Sequence, residues 1–320
     1  MKKRLILAPL QGFTDAVFRN VYTRHFSGLD EAMAPFISTM GQKRLKPSRI
    51  KDIHPENNKN LAVIPQILGN AAEDFIFLTR HIADLGHKTV NWNLGCPHSK
   101  ITKKKRGSGL LPFPEEIDSF LEKVITEVPC TLSVKVRLGK KSDKEIFDLL
   151  PIFNKYPLKE IIVHPRTGIQ MYEGKADANA FTEISNKTDH TLVYNGDITG
   201  KQRVEQIQRL CPGVNRFMIG RGILANPFLP EEIKGEKINK NESHERIKAF
   251  HDDLFKTYDK IFSGPSHITG RMKGFWSYLG PSFKDSHKAL KKILKTKNRE
   301  QYLRASEHFF ALKLPFSPPE

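Results

Sequence analysis

Short apolar runs rich in β-branched residues alternate along this chain with longer stretches of helical periodicity. The runs cover Arg4 to Pro9, Glu31 to Ile37, Leu61 to Leu68, Thr89 to Gly95, Thr131 to Arg137, Glu160 to Arg166, Thr191 to Gly196 and Arg216 to Arg221. Most begin about 25–30 residues after the one before, the length of a strand plus a crossover helix. Between them, Glu73 to Leu85, Pro114 to Thr126 and Lys201 to Leu210 carry apolar residues at helical spacing. Strands apolar on both faces and separated by helices predict a parallel sheet covered on both sides, the α/β class. Eight such units in about 220 residues fit a closed (β/α)8 TIM barrel better than an open sheet. An open doubly wound sheet usually has a Gly-rich first turn, but Leu10-Gln11-Gly12-Phe13 follows the first run and holds no G-x-G-x-x-G.

The alternation stops after Pro230. Glu231 to Glu242 is polar and charged and reads as a linker. Only helical patterns follow, over Ile247 to Phe262, Ile268 to Leu279, Ser286 to Thr296 and Arg299 to Leu312, punctuated by Gly264-Pro265 and Gly280-Pro281. The expected organisation is a barrel over residues 1–235 and a small all-helical bundle domain, rich in Lys and Arg, over 243–320.

In a barrel of this kind the chemistry sits at the C-terminal ends of the strands. Gln66 ends the third run, Asn93 and Cys96 the fourth, Lys135 and Arg137 the fifth, His164 and Arg166 the sixth, Asn195 and Gly196 the seventh, and Gly220 and Arg221 the eighth. Six consecutive strands thus aim hydrogen-bonding groups at one mouth. The glycines of Asn195-Gly196-Asp197 and Gly220-Arg221-Gly222 let backbone N–H groups approach an anion, and Arg221 adds a guanidinium fork. A phosphorylated cofactor or substrate is expected there. Lys135, across the mouth, could form a Schiff base or place its charge beside N1 of a reduced flavin. Gln66 offers the donor and acceptor that the edge of a flat heterocycle requires, and the pair favours flavin.

The sharpest local feature is Asn93-Leu94-Gly95-Cys96-Pro97-His98-Ser99-Lys100. Pro97 stops the strand and Gly95 permits a tight exit, so Cys96 is displayed on the loop above the barrel. A thiol near its ordinary pKa of ~8.5 stays protonated at neutral pH and can serve as a general acid. Lys103-Lys104-Lys105-Arg106 follows, four positive charges in a row that suggest the phosphates of a large substrate. Composition points the same way. Lys and Arg exceed Asp and Glu by 52 − 35 = 17 in 320 residues, and the pI is about 9.7. Such an excess favours a polyanionic partner, nucleic acid or an acidic membrane surface. No apolar run reaches the ~18–20 residues of a membrane span. The basic N-terminus begins like a signal peptide, but its apolar stretch is short and Pro9, Gln11 and Asp15 interrupt it, so it is read as the first strand. Cys96, Cys130 and Cys211 lack the paired spacings of a disulfide framework or a zinc site. Cys130 and Cys211 are read as structural, no metal is expected, and a reducing cytoplasm is.

Taken in order, the motifs resemble one family, the tRNA-dihydrouridine synthases. The similarity covers Ala8-Pro9, Gly12-Phe13-Thr14-Asp15, Gln66-Ile67-Leu68-Gly69, Asn93-Leu94-Gly95-Cys96-Pro97 with Lys100, and Gly107-Ser108-Gly109-Leu110-Leu111. It continues through Lys135-Val136-Arg137-Leu138-Gly139, His164, Arg166-Thr167, Gln170, Tyr172, Asn195-Gly196-Asp197-Ile198 and Ile219-Gly220-Arg221-Gly222. The stretch Arg271 to Leu279 resembles the helical domain of the bacterial C-type members. Leu10-Gln11 and Pro165 depart from the family pattern. The resemblance implies tightly bound FMN reduced by NADPH, hydride transfer to C6 of a uracil in tRNA, and protonation at C5. It implies Cys96 as proton donor, and Pro9, Gln66, Lys135, His164, Asn195, Gly196, Gly220 and Arg221 as the FMN residues. Asn93, Lys100, Arg137, Arg166 and Lys273 would face the uracil and the RNA. The uracil must leave its stack to reach the mouth, and the basic loop and helical tail would grip phosphates. A cytoplasmic monomer acting on tRNA is expected. On the residues alone three other readings stay open: an FMN barrel acting on free pyrimidines, a non-catalytic RNA-binding barrel, and a Schiff-base aldolase built on Lys135.

Overall fold

The computed structural model describes residues 2–262 and 264–319. Among these, ten strands form one parallel sheet: β1 (Arg4–Leu7), β2 (Glu31–Met33), β3 (Ile37–Ser38), β4 (Ala62–Ile64), β5 (Gln66–Leu68), β6 (Thr89–Leu94), β7 (Thr131–Gly139), β8 (Ile161–Thr167), β9 (Leu192–Tyr194) and β10 (Arg216–Ile219). Their order is β3-β5-β6-β7-β8-β9-β10-β1-β2-β4. The two ends of that order belong to two interrupted strands, because β2 pairs with β4 and β3 with β5. Only Pro65, which has no N–H for the ladder, separates β4 from β5. Across the breaks, Ala34 N donates to Ile64 O at 3.0 Å and Asn91 N to Pro65 O at 2.9 Å. The ring therefore closes on eight strands, the barrel expected from the spacing. The register between β7 and β8 shifts after Arg137 and His164, where Pro165 stands. A bulge tolerates a residue without an N–H, which accounts for proline there.

The helices Ala16–His25, Ala72–Asp84, Pro114–Glu127, Glu145–Phe153, Ala178–Ser185 and Lys201–Leu210 surround the ring. The second crossover has only the short turns Pro47–Ile50, Lys51–Ile53 and Pro55–Asn57. Buried Arg19 fastens it, donating to Thr14 O at 2.7 Å, to the Asp52 carboxylate at 3.1 Å and to Asp52 O at 2.7 Å. Inside the barrel, Ile6, Ala8, Met33, Ile64, Ile162, Val193 and Met218 make an apolar cluster. Strands β5, β6 and β7 instead bury Gln66, Asn91, Asn93 and Ser133. One side of the barrel is thus an apolar floor and the other a polar wall.

The tail consists of the helices Lys240–Asp259, Pro265–Leu279, His287–Leu294 and Arg299–Ala311. The expected linker is not one. Leu229–Lys234 is helical, is closed by Gly235 in the left-handed region, and leaves a short gap before Lys240. Glu231 reads as solvent-facing in the sequence but is buried, accepts from Ser27 N at 2.8 Å and pairs with Arg246. An aromatic seam joins tail and barrel: Phe275 meets Phe13 edge-on at 5.3 Å and stacks on Phe18 at 5.5 Å. Asp15 caps Ala16–His25 through Phe18 N and also accepts from the Tyr258 hydroxyl at 2.7 Å. Among the described residues no helix is long and apolar enough to cross a membrane.

Candidate active site

A cavity of about 720 Å³ lies at the C-terminal ends of the strands. Pro9, Gln66, Asn93, Cys96, Lys135, Arg137, His164, Arg166, Asn195, Gly220 and Arg221 all line it. Three other candidates stand elsewhere. Gly196 packs against Ala176 and Tyr194 behind the wall. Lys100 is exposed on the turn Ser99–Thr102. Lys273 donates to Thr296 O at 2.7 Å and so ties two tail helices together.

The Cys96 loop is held from several sides. Gly95 N and Cys96 N donate to Asn93 Oδ1 at 3.0 and 2.9 Å. Ser108 N donates to Cys96 O at 3.0 Å. Arg137 Nε donates to Gly95 O at 2.9 Å. Burial pushes the Cys96 thiol above its ordinary value, against the opposing pull of the His98 N–H and the Arg137 and Lys135 charges. The thiol is therefore protonated at neutral pH, as general-acid work requires.

The cavity is electropositive. Lys135, Arg137, Arg166 and Arg221 line it, and Asp197 is the one lining carboxylate among the described residues. Burial, with the Arg137 charge, lowers the Lys135 ammonium to about 7. Burial opposes ionisation of Asp197, but hydrogen bonds from Arg166 and Ala176 N and the charges of Arg166 and Arg221 outweigh it and hold the carboxyl low. Arg166 has no free donor. Its five N–H groups go to Glu173 O, His164 Nε2, both Asp197 oxygens and Gly174 O. It braces the loop after β8 and has nothing left for a base or RNA. A guanidinium only donates, so His164 Nε2 accepts and the imidazole proton sits on Nδ1. Burial and four surrounding cations keep that imidazole neutral, far below its usual value. Arg137 differs from Arg166: Gly95 O and Thr167 O take two of its N–H groups, and the rest are available beside Cys96.

Tyr172 stands at the rim, 46% exposed, with the Arg221 guanidinium 4.5 Å and that of Arg137 5.5 Å from its ring. Opposite, the tail helix Pro265–Leu279 lends Tyr278 to the wall, edge-on to Phe13 at 5.4 Å. The expected basic grip is only partly free. Lys105 pairs with Glu116 at 2.7 Å, and Arg106 donates to Asn70 Oδ1 at 3.1 Å. Lys103 and Lys104 are exposed.

The sequence matches the family model described as Dihydrouridine synthase (Dus) over residues 6–308. The chain belongs to the dihydrouridine synthase family. Curated relatives named tRNA-dihydrouridine synthase B resemble it at modest identity. The protein of Pasteurella multocida is 28% identical over 72% of this chain and 68% of its own. That of Shewanella oneidensis is 28% identical over 81% of each chain. That of Vibrio parahaemolyticus is 26% identical over 90% of this chain and 85% of its own. These relatives carry the B name, so they lend no support to the C-type likeness of the tail. Solved structures agree in fold. Histamine dehydrogenase from Rhizobium sp. 4-9 superposes with a TM-score of 0.55 at 11% identity, over 78% of this chain and 49% of that one. A variant of NCR from Zymomonas mobilis gives 0.51 at 11% identity, over 78% and 90%.

The sequence alone assigned no part to Asp197 or Tyr278 in this member of the family. Asp197 lay inside a recognised motif, but its two arginine partners come from elsewhere, Arg166 from β8 and Arg221 from the short helical turn after β10. Nothing in the amphipathic pattern of the last helices marks Tyr278 as reaching the mouth. The polar wall did carry a signal: Asn91 and Asn93 on β6, and Ser133, Lys135 and Arg137 on β7, recur with period two in otherwise apolar strands.

Proposed function

We propose that this dihydrouridine synthase reduces the C5–C6 double bond of uridines in tRNA, with FMN in the barrel mouth and Cys96 donating the proton to C5. What carries the reading is one cavity that holds both a protonated thiol and a group of cations with too few anions to balance them. Such a cavity fits a ligand bearing negative charge. Its size lies within the ~300–1,000 Å³ usual for cofactor sites. FMN, reduced by NADPH, supplies the hydride delivered to C6 of the base. Lys135 and Arg221 provide positive charge for it, while Pro9, Gln66, His164, Asn195, Gly196 and Gly220 shape and line its seat. Gly196 acts from behind the wall.

The chain's own residues account for the remaining demands. Cys96 keeps its proton until the base is in place. Arg137, fixed by Gly95 O and Thr167 O, turns its remaining N–H groups toward a carbonyl of the base. Tyr172 and Tyr278 offer flat faces at the rim for a flipped-out nucleotide. Exposed Lys100, Lys103 and Lys104 meet RNA phosphates. The same proposal includes a barrel domain over 1–235, an RNA-binding tail over 243–320, a monomeric state and a cytoplasmic location. One observation favours a second reading: a buried amine near pKa 7 also suits Schiff-base chemistry at Lys135. Family membership supports the first. The test is binding and turnover with tRNA lacking dihydrouridine against free uracil, using purified protein with its absorption spectrum recorded. The reading expects a yellow protein that acts on the tRNA and leaves free uracil unchanged. A colourless protein that borohydride links to a carbonyl compound through Lys135 would overturn it.

A further inference from the structure

Four side chains form one hydrogen-bonded file inside the barrel. Asn93 Oδ1 accepts from Gly95 N and Cys96 N at 3.0 and 2.9 Å. Asn93 Nδ2 donates to Gln66 Oε1 at 2.8 Å, Gln66 Nε2 to Asn91 Oδ1 at 2.7 Å, and Asn91 Nδ2 to Ser133 Oγ at 2.9 Å. Ser133 Oγ donates to Val90 O at 3.3 Å. The direction of the file follows from its ends, without reference to any hydrogen position. A backbone N–H only donates, so Asn93 must turn its oxygen to the Cys96 loop. A backbone carbonyl only accepts, so Ser133 must turn its proton to Val90 and receive the Asn91 amide. Both ends demand the same polarity, and each amide between them has one allowed orientation. Flipping Gln66 alone would set oxygen against oxygen at Asn91 and nitrogen against nitrogen at Asn93.

Asn91 and Ser133 are fully buried and do not border the cavity. We propose that they are positioning residues for the proton donor: they fix Gln66 and Asn93 in the orientation that holds the Cys96 backbone and leaves the second Asn93 N–H for an acceptor on the ligand. This rests on the reading of Cys96 given above. The file distinguishes substitutions of similar size. In Asn91→Asp a carboxyl still accepts from Gln66 Nε2 and still pairs with Ser133 Oγ, whether or not it is protonated. In Asn91→Leu that acceptor is gone, Gln66 Nε2 keeps only the weak Met33 Sδ acceptor at 3.1 Å, and Gln66 is held from the Asn93 side alone.

The test is hydrogen exchange at the Gly95 and Cys96 amides of the whole chain, alongside dihydrouridine formation in tRNA. From the ~0.5–1.5 kcal/mol net worth of one hydrogen bond, Asn91→Leu should speed exchange at both amides by about tenfold, and Ser133→Ala by about threefold. Asn91→Asp should stay within about twofold of the wild type on the same scale. Turnover should fall in the same order, with KM for tRNA held within about twofold, since no group that touches RNA has changed. Wild-type exchange in Asn91→Leu, or equal impairment in the Asp and Leu variants, overturns the proposal. If Asn91→Leu does not fold, unchanged exchange at both amides in Ser133→Ala overturns it instead. Should the exchange pattern appear while even the wild type forms no dihydrouridine, the positioning stands and the functional reading falls.

Discussion

Gly107 lies directly against the Cys96 loop. Its φ is +57°, and a Cβ there would sit 2.5 Å from Cys96 O and 3.0 Å from Cys96 Cβ. Gly107→Ala should therefore displace the thiol while the barrel survives. Misplacement by about 1 Å costs on the order of 100-fold, so a turnover loss of at least about tenfold is expected with flavin content unchanged. A stopped assay with the flavin absorbance recorded checks it, and wild-type turnover would place the loop packing outside the mechanism. Lys135 makes a second prediction. Its folded pKa is depressed to about 7, so above that pH the empty site holds a neutral amine. An anionic ligand needs the ammonium, so binding must then take up a proton. Affinity for flavin should be flat below about pH 7 and weaken by about tenfold per unit above it, until the pKa of the bound state is reached. A titration of flavin fluorescence from pH 6 to pH 9 reads this, and Lys135→Met should abolish the slope. A flat wild-type profile would remove Lys135 from the anion's neighbourhood. At this scale the sequence announced residue types at strand ends, and ten of the eleven named there do meet at one cavity, Gly196 excepted. It could not announce partners: Arg166 and Arg137 occupy equivalent strand ends, yet only Arg137 keeps free donors.

Among the elements, the barrel strands were legible because apolar runs at regular spacing are a long-range pattern. The errors fell where one local interaction overrides that pattern. Pro65 splits the third strand, and the polar stretch around Glu231 is helical, with Glu231 buried beneath a half-exposed Arg246. The helix-poor second crossover depends on Arg19, which is 1% exposed. Its loss takes a donor from Thr14 O, Asn58 Oδ1, the Asp52 carboxylate and Asp52 O, of which the carboxylate keeps Ala16 N and Asp52 O keeps the Asn58 amide. Asp52 is partly exposed, so the loss is that of hydrogen bonds to a charged group, about 1.5–3 kcal/mol. Arg19→Met should lower the urea midpoint accordingly, with the m-value unchanged. A shift under about 1 kcal/mol would mean that water or another side chain replaces the guanidinium as donor.

For the molecule as a whole, the excess of 17 positive charges is the feature most visible in the sequence and the least specific. The structure narrows it. Lys105 pairs with Glu116 at the surface and Arg106 donates to Asn70, whereas Lys103 and Lys104 stand exposed on the segment that follows the Cys96 loop. Exchanging both for Gln should weaken tRNA binding and reduce the slope of log affinity against log salt by about two, one for each phosphate that no lysine then neutralises. An unchanged slope would move the RNA path elsewhere. The tail was legible as helices but not as part of the site, because its reach to the cavity through Tyr278 is a matter of docking geometry and not of pattern. Barrel, tail and loop converge on Cys96, and its chemistry is the claim most open to a single measurement. Dihydrouridine formed in tRNA is to be compared between the flavin-loaded wild type and Cys96→Ala. The account predicts that both bind flavin alike, that the wild type forms dihydrouridine, and that the variant loses at least about 100-fold in turnover, as expected for a missing general acid. Equal turnover by the two proteins would contradict it.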